Sequence, residues 1–257
     1  MEIRSWNATR EIPILEKDLV HLYRIDTTNL LGQIQKSEPF PLLLTEETER
    51  FIKFRYDKDR YTFAISRFAL RFLCANILGI EMHDVKFDSN DFGKLFLDEY
   101  PELQFNISHS GDLIILGFGL DLPLGVDVEK YNREIDLMEL ASAVFSSIEV
   151  DQMQQFNRAE VIDGFYNCWA KKESYIKAKG MGLQIPLNQF HVRIFDKGYD
   201  NLLRADWGLE EHRRWRMFNF AAKEDYAAAC TCDVSIQTVE CWDIEEIIQR
   251  KLNELKT

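Results

Sequence analysis

No stretch of this 257-residue chain is both apolar and long enough to cross a membrane: the longest uncharged apolar run, Leu113 to Leu120, falls far short of the ~20 residues a spanning helix needs. The first residues interleave Glu2, Arg4, Arg10 and Glu11 with apolar ones, which is not the charged start and unbroken apolar run of a signal peptide, so a cytoplasmic address is expected. Basic charge is in short supply. The 31 Lys and Arg face 43 Asp and Glu, a formal balance of −12 that disfavours a phosphate backbone as partner and leaves any anion site to be local. Neither a nucleic acid nor a membrane is expected as a partner. Cysteines are few and odd in number: Cys74, Cys168, Cys230, Cys232 and Cys241 contain no CxxC pair and read as buried free thiols. No GxGxxG follows a strand, which argues against a redox dehydrogenase. With 46% hydrophobic, 12% aromatic and 29% charged residues the chain is neither disordered nor collagenous, and it is long enough for one large domain or two.

From Asp59 to Leu78 the residues Phe63, Phe68, Phe72 and Ile77 recur near helical spacing, and Gly79 provides a stop. Arg60, Arg67 and Arg71 fall along one side of that helix and, taken alone, read as a solvated face. Gln104 to Ser108, Leu113 to Gly119 and Leu124 to Glu129 read as three strands of a meander, separated by turns at Ser110-Gly111-Asp112 and Asp121-Leu122-Pro123. Because strand side chains alternate, Asp127 and Glu129 share a face. A second helix spans Asp163 to Lys179 with Phe165, Trp169 and Ile176 inward, ends at Gly180-Met181-Gly182, and carries Glu173 and Lys177 one turn apart. A β-rich stretch follows from Phe190 to Thr238. The tail from Asp243 to Leu255 is amphipathic, with Ile244, Ile247, Ile248, Leu252 and Leu255 on one stripe and a capping-box spacing at Asp243 and Glu246. Phe105-Asn106 with Asp112, and Phe218-Asn219 with Asp225, each lead into a hydrophobic strand after a long helix. This faint likeness suggests a duplication jointed near Lys130 to Ile135.

Asp127, Glu129 and Glu173 come from two elements and could converge on one hard cation, for which Mg2+ is the best fit because it takes oxygen ligands and commonly bridges to a phosphate. Solvated carboxylates are the bland alternative. Asn106-Ile107-Ser108-His109-Ser110-Gly111 gathers short polar groups that could face an anion, as could Lys172 and Lys177. His109 could equally be a structural hydrogen bonder, and a Glu173 to Lys177 pair on a helix surface can be mere decoration worth ~0.3–0.5 kcal/mol.

Taken in order, Asn106-Ile-Ser-His-Ser-Gly111, Gly125-Val-Asp-Val-Glu129 and Trp169-Ala-Lys-Lys-Glu-Ser-Tyr-Ile-Lys177 followed by Gly180-Met-Gly-Leu183 resemble the 4′-phosphopantetheinyl transferase superfamily. Phe145-Ser146 with Glu149, and Phe87 to Asn90 leading to Gly93-Lys94, resemble its two-lobed, surfactin-synthetase-activating type. Likeness runs from about Asp59 to Val192. The resemblance implies an α+β fold of two pseudo-symmetric lobes, 1–129 and 130–257, each a small antiparallel sheet packed with a long helix, with the site in the cleft between them and a single chain sufficing as a monomer.

It further implies an enzyme of the holo-[acyl-carrier-protein] synthase kind, which transfers the phosphopantetheine arm of coenzyme A to a serine of an acyl or peptidyl carrier protein and releases 3′,5′-adenosine diphosphate. Carried over by position, Asp127, Glu129 and Glu173 would hold Mg2+ against the diphosphate. Ser108 and His109 would contact coenzyme A phosphates, with Lys172 among the cofactor contacts, and Lys177 would stabilise the diphosphate or the leaving group. Lys94 would lie near the adenine and ribose. Glu173 is the first candidate for the base and Glu149 the second, unless the Glu149 segment orders a flap. Relatives place basic residues for the 3′-phosphate where this chain has Glu46-Glu47-Thr48-Glu49, so Arg50, Lys53 and Arg60 are the substitutes here. Lys179, Met181 and Leu183 are candidate carrier contacts or a plain helix stop. A Mg2+-dependent phosphohydrolase and a non-catalytic coenzyme-A-binding protein are the alternatives.

Overall fold

A computed structural model describes residues 2–34, 43–195, 200–201, 204–205, 208 and 210–254. The chain begins with β1 (Glu2–Ala8) and β2 (Leu19–Asp26), then α1 (Thr28–Ile34), α2 (Thr45–Lys53) and the long α3 (Asp57–Leu78). A small hairpin, β3 (Asp88–Ser89) and β4 (Leu95–Phe96), precedes β5 (Leu103–Ser110), β6 (Leu113–Leu120) and β7 (Leu124–Lys130). Next come α4 (Leu137–Val144), α5 (Ser147–Met153) and the second long helix, α6 (Arg158–Lys179). The chain closes with β8 (Phe190–His191), β9 (Asp200–Asn201), β10 (Arg204–Ala205), α7 (Glu211–Arg214), β11 (Trp215–Asn219), β12 (Tyr226–Asp233), β13 (Thr238–Asp243) and α8 (Glu245–Glu254).

The expected α+β architecture of two lobes is present. One sheet has the order β1-β13-β2-β6-β5 and the other β7-β12-β11-β9. The second is antiparallel throughout. The first is antiparallel across β2, β6 and β5, and is extended by β13 and β1 in parallel. α3 packs Phe68, Phe72 and Leu73 on Tyr23, Ile25 and Phe118, with Ile247, Ile248 and Leu252 of α8 joining that core. α6 packs Phe165 and Tyr175 with Phe190, Trp215 and Met217. The opposite faces meet in a third core, where Val20, Leu22 and Ile115 face Val126, Val128, Cys230 and Cys232. All five cysteines are buried and free, as expected.

Several sequence readings need adjusting. α3 and α6 begin earlier than expected, at Asp57 and Arg158, the latter because Asn157 and Glu160 form a capping box. Of the tail stripe, Leu255 lies outside the described residues. The meander breaks after β6: at Asp121, a left-handed residue with φ 63°, the chain changes sheets, and β7 pairs with β12 from Leu124↔Cys232 to Lys130↔Tyr226. What joins β5 to β7 is side chains. Asn106 Oδ1, Ser108 Oγ and Ser110 Oγ accept from the amides of Val126, Val128 and Lys130 at 2.9, 3.4 and 3.0 Å, so alternate β5 side chains stand in for ladder carbonyls. A division at 129/130 does not follow the sheets, since β7 lies in the second while β13 and α8 return to the first.

β7 and α6 approach very closely. A Cβ on Gly125 would sit 2.1 Å from the Ser174 carbonyl oxygen and 2.4 Å from the Ala178 amide, so only glycine fits there. No helix of the described residues is long and apolar enough to cross a membrane.

Candidate active site

A cleft of about 420 Å³ opens between the lobes. Arg50, Phe63, Ser66 and Arg67 of α2 and α3 form one wall; Asn106 to His109 of β5 form its floor; Glu173, Ile176 and Lys177 of α6 form the other wall, and Phe92 to Leu95 close one end.

The strand alternation that set Asp127 and Glu129 on one face aims both toward α6. Asp127 is 2% exposed. Its Oδ1 accepts from Ser108 Oγ at 2.9 Å and from Lys177 Nζ at 2.6 Å, and Lys177 Nζ also donates to Ser108 Oγ at 2.8 Å. Its Oδ2 is buried with no hydrogen-bond partner. Burial pushes the Asp127 carboxyl up, against the pull of Lys177 and Ser108. Glu129 accepts from Ser110 Oγ at 3.0 Å, yet burial and then the Asp127 charge push it up to about 7. The same two causes raise Glu173, opposed by Lys177. Burial and the Asp127 charge therefore disfavour ionisation of Glu129 and Glu173 in a partly dry site, a condition that a cation relieves.

Among the described residues no group of three His, Cys, Asp or Glu side chains is close enough to enclose a metal ion. Mg2+ asks for less, since it is usually held by one or two carboxylates with waters and substrate phosphates completing the octahedron. The orphaned Asp127 Oδ2 beside two hard-oxygen neighbours fits that half-open donor set.

The α2–α3 wall carries the cations Arg50 and Arg67. His109 lies open in the cleft; the surrounding protein mass and then Lys177 push its imidazole down. Arg50 and Arg67 hold their guanidinium groups over the Phe63 ring at 5.1 and 5.4 Å. Arg67 and Arg71 are not a solvated face: their side chains are 13% and 5% exposed, and Glu47 lies between them, 3.6 Å from Arg67 and 2.7 Å from Arg71. The acidic run before α3 thus places one carboxylate inside the arginine cluster.

Other expected residues land elsewhere. Lys94 lines the cleft, but its ammonium donates to the carbonyls of Leu124 and Ala178 at 3.2 and 3.0 Å, and burial pushes it down to about 8. With Asn90, which donates to the Gly180 carbonyl at 2.7 Å, it pins the β3–β4 loop to the end of α6. Lys53 is exposed outside the cleft lining. Arg60 donates to the Phe54 carbonyl and pairs with Asp57, holding the α2–α3 corner. Glu149 and Lys172 are corrections: they pair at 2.9 Å in the second lobe's interior, at 1% and 0% exposure. Lys172 also donates to the carbonyls of Leu187 and Phe190, while Glu149 closes the Ser146 capping box and accepts from the Val192 amide. Neither side chain lines the cleft. Lys179 pairs with Glu211 at 2.9 Å, Met181 is 40% exposed, and the Leu183 side chain lies outside the described residues. Sequence reasoning missed Arg67, Ser66 and Phe92 as lining groups; a Phe63-to-Arg67 pair at i,i+4 was the one available signal for the arginine.

Two family profiles match this chain in succession, one described as 4′-phosphopantetheinyl transferase, N-terminal, over residues 37–118, the other as 4′-phosphopantetheinyl transferase superfamily over residues 123–231. It is 30% identical to the 4′-phosphopantetheinyl transferase Sfp of Bacillus subtilis (strain 168), over 69% of this chain and 78% of that one. The chain belongs to the 4′-phosphopantetheinyl transferase superfamily. Identity is 31% to the 4′-phosphopantetheinyl transferase ffp of Bacillus subtilis, over 74% of this chain and 82% of that one, and 32% to the 4′-phosphopantetheinyl transferase HetI of a Nostoc species, over 66% and 72%. The gap between the two profile matches falls on the Asp121 turn, where this transferase changes sheets.

Proposed function

We propose that this transferase moves the 4′-phosphopantetheine arm of coenzyme A onto a serine hydroxyl of an apo acyl or peptidyl carrier protein in the cytoplasm, in a Mg2+-dependent reaction that releases adenosine 3′,5′-bisphosphate. The observation that carries this reading is the buried Asp127 Oδ2, which has no hydrogen-bond partner, next to Lys177 and Ser108, which line a cleft of ligand size together with Glu173, Arg50 and Arg67. Both walls come from one chain, which suits a monomer.

In this reading the carrier serine Oγ bonds to the phosphorus that bears pantetheine. The bond from that phosphorus to the bridging oxygen breaks, and its electron pair leaves with the bisphosphate. Such chemistry depends on positioning and charge neutralisation more than on covalent help from the protein. Asp127, with Glu129 or Glu173 beside it, would hold Mg2+, which when bound would supply charge neutralisation on the diphosphate. Lys177, one hydrogen bond from both Asp127 and Ser108, sits where it can turn to the leaving oxygen. His109 and Arg50 face the remaining phosphate charge, and Lys94 orders the loop beside the nucleotide. The serine proton goes to the Glu173 carboxylate, which burial and the Asp127 charge make a stronger base than an ordinary glutamate. Glu149 and Lys172 take no part because their charges satisfy each other away from the cleft.

Incubating apo carrier proteins with this chain, coenzyme A and Mg2+ tests the reading by intact-protein mass. The expected result is a gain of one phosphopantetheine on the carrier, matched by free bisphosphate and absent with EDTA. Bisphosphate without carrier modification would replace the transferase by a hydrolase.

A further inference from the structure

Glu47 belongs to the acidic run Glu46-Glu47-Thr48-Glu49, yet its carboxylate is turned inward and is only 12% exposed. Its two oxygens have different neighbours. Oε2 accepts from the Leu44 amide at 3.0 Å, which caps α2, and from Arg71 at 2.7 Å, a guanidinium buried in the fold. Oε1 faces Nε of Arg67 at 3.6 Å, too far for a hydrogen bond but close enough for its charge to act where little water screens it. Arg71 is thus held inside the fold, whereas Arg67 lines the cleft with the Glu47 charge acting on it.

Coenzyme A carries a diphosphate and, on its ribose, a separate monophosphate, and the diphosphate is assigned above to the Asp127 centre with Lys177. Of the other cations lining the cleft among the described residues, Lys94 has its ammonium engaged by the carbonyls of Leu124 and Ala178, and His109 is pushed toward its neutral form. Arg50 and Arg67 remain for the monophosphate, their guanidinium groups over the Phe63 ring at 5.1 and 5.4 Å. One of these two is already partly answered by a carboxylate.

Resting on the transferase reading above, we propose that Glu47 is a specificity-determining residue: through Oε1 it weakens the hold of Arg67 on the ribose monophosphate, so this chain distinguishes coenzyme A from its 3′-dephospho form only modestly. A carboxylate and a phosphate cannot both take the full charge of one guanidinium in a site of low polarity. The ribose monophosphate is not touched by the reaction, so the effect falls on substrate and bisphosphate product alike and leaves the chemical step alone.

Glu47→Gln isolates the charge. Its amide oxygen can take over both Oε2 bonds, to Leu44 and Arg71, while the amide nitrogen replaces the oxygen that faces Arg67. The test is calorimetric titration of coenzyme A, 3′-dephospho-coenzyme A and adenosine 3′,5′-bisphosphate into the wild type, Glu47→Gln and Arg67→Ala, with a thermal melt of each. The wild type should favour coenzyme A over the dephospho form by about 10-fold, Glu47→Gln by about 100-fold through tighter binding of coenzyme A alone, and Arg67→Ala by less than about threefold. The bisphosphate should tighten in Glu47→Gln by the same factor as coenzyme A. A preference of about 1,000-fold or more in the wild type overturns the proposal even if Glu47→Gln does not fold. A preference unchanged in a folded Glu47→Gln overturns it, and so does one that falls, which would make Glu47 a support for Arg67. The titrations need no carrier, so either result beside working transfer overturns the Glu47 role alone, whereas a wild type that binds none of the three ligands overturns the transferase reading with it.

Discussion

α3 and α6 are matched in outline, each a 22-residue helix ended by a left-handed glycine, Gly79 at φ 68° and Gly180 at φ 67°, and each lies against its own sheet. Their chemistry differs. α3 buries an almost wholly apolar side and brings Arg67 to the cleft, where it shares Glu47 with the buried Arg71. α6 buries Lys171 and Lys172 completely on backbone carbonyls and sends Glu173 and Lys177 to the cleft beside the β7 carboxylates. In the proposed function one half of the cleft would hold anions and the other a cation. The α6 half is the more tightly constrained, because Gly125 lets the helix backbone rest on β7 and Lys94 clamps its end.

That asymmetry can be broken most sharply at the cation half. Asp127→Ala is expected to lower transfer by about 10⁴-fold with the thermal transition retained, whereas Arg67→Ala on the anion half should raise the KM for coenzyme A by about 10-fold with kcat largely kept. Paired transfer kinetics and thermal melts check both. Equal losses would mean the halves are not specialised.

Next in size is the buried pair behind α6. Lys172→Met leaves the buried Glu149 carboxylate without its cation, held only by Ser146 and the Val192 amide, and should cost about 3–5 kcal/mol in denaturant unfolding; Lys172→Met with Glu149→Gln should recover much of it. Recovery of stability without any change in the coenzyme A KM would confirm that the pair is structural.

The smallest contrast lies at the two caps. At Gly79 an added Cβ meets nothing within 4 Å, so Gly79→Ala should cost about 1 kcal/mol for its left-handed backbone alone. At Gly180 the Cβ would come within 2.9 Å of Lys94 Cδ, so Gly180→Ala should cost about 2 kcal/mol and also weaken coenzyme A binding. Chemical denaturation of the two variants side by side checks this.

Much of this was legible in the sequence because local pattern carried it. Two-residue alternation put Asp127 and Glu129 on one face, helical spacing and terminal glycines outlined α3 and α6, and the Glu173-to-Lys177 turn gave the facing wall. Pairing partners were not legible. β7 reads like the third strand of a meander, and nothing local says that it joins β12 or that β13 inserts between β1 and β2. Lys172 read as a cofactor contact because the carbonyls that hold it, at Leu187 and Phe190, have no side-chain signature. For the same reason Lys94 read as a nucleotide contact when its ammonium is held by the backbone. Arg67 and Arg71 were misjudged because Glu47 reaches them from another helix.

The most direct test of the cation half is a calorimetric titration of Mg2+ into the protein with coenzyme A present, at pH 6 and at pH 8. With Glu129 held up near 7 by burial and by Asp127, a proton must leave before that carboxylate can bind a cation, so affinity should fall as pH drops through 7. The account predicts binding about 10-fold weaker at pH 6 than at pH 8, proton release at pH 6 that vanishes at pH 8, and loss of both signals in Asp127→Ala. Mg2+ binding of equal strength at both pH values, or undiminished in Asp127→Ala, would contradict it.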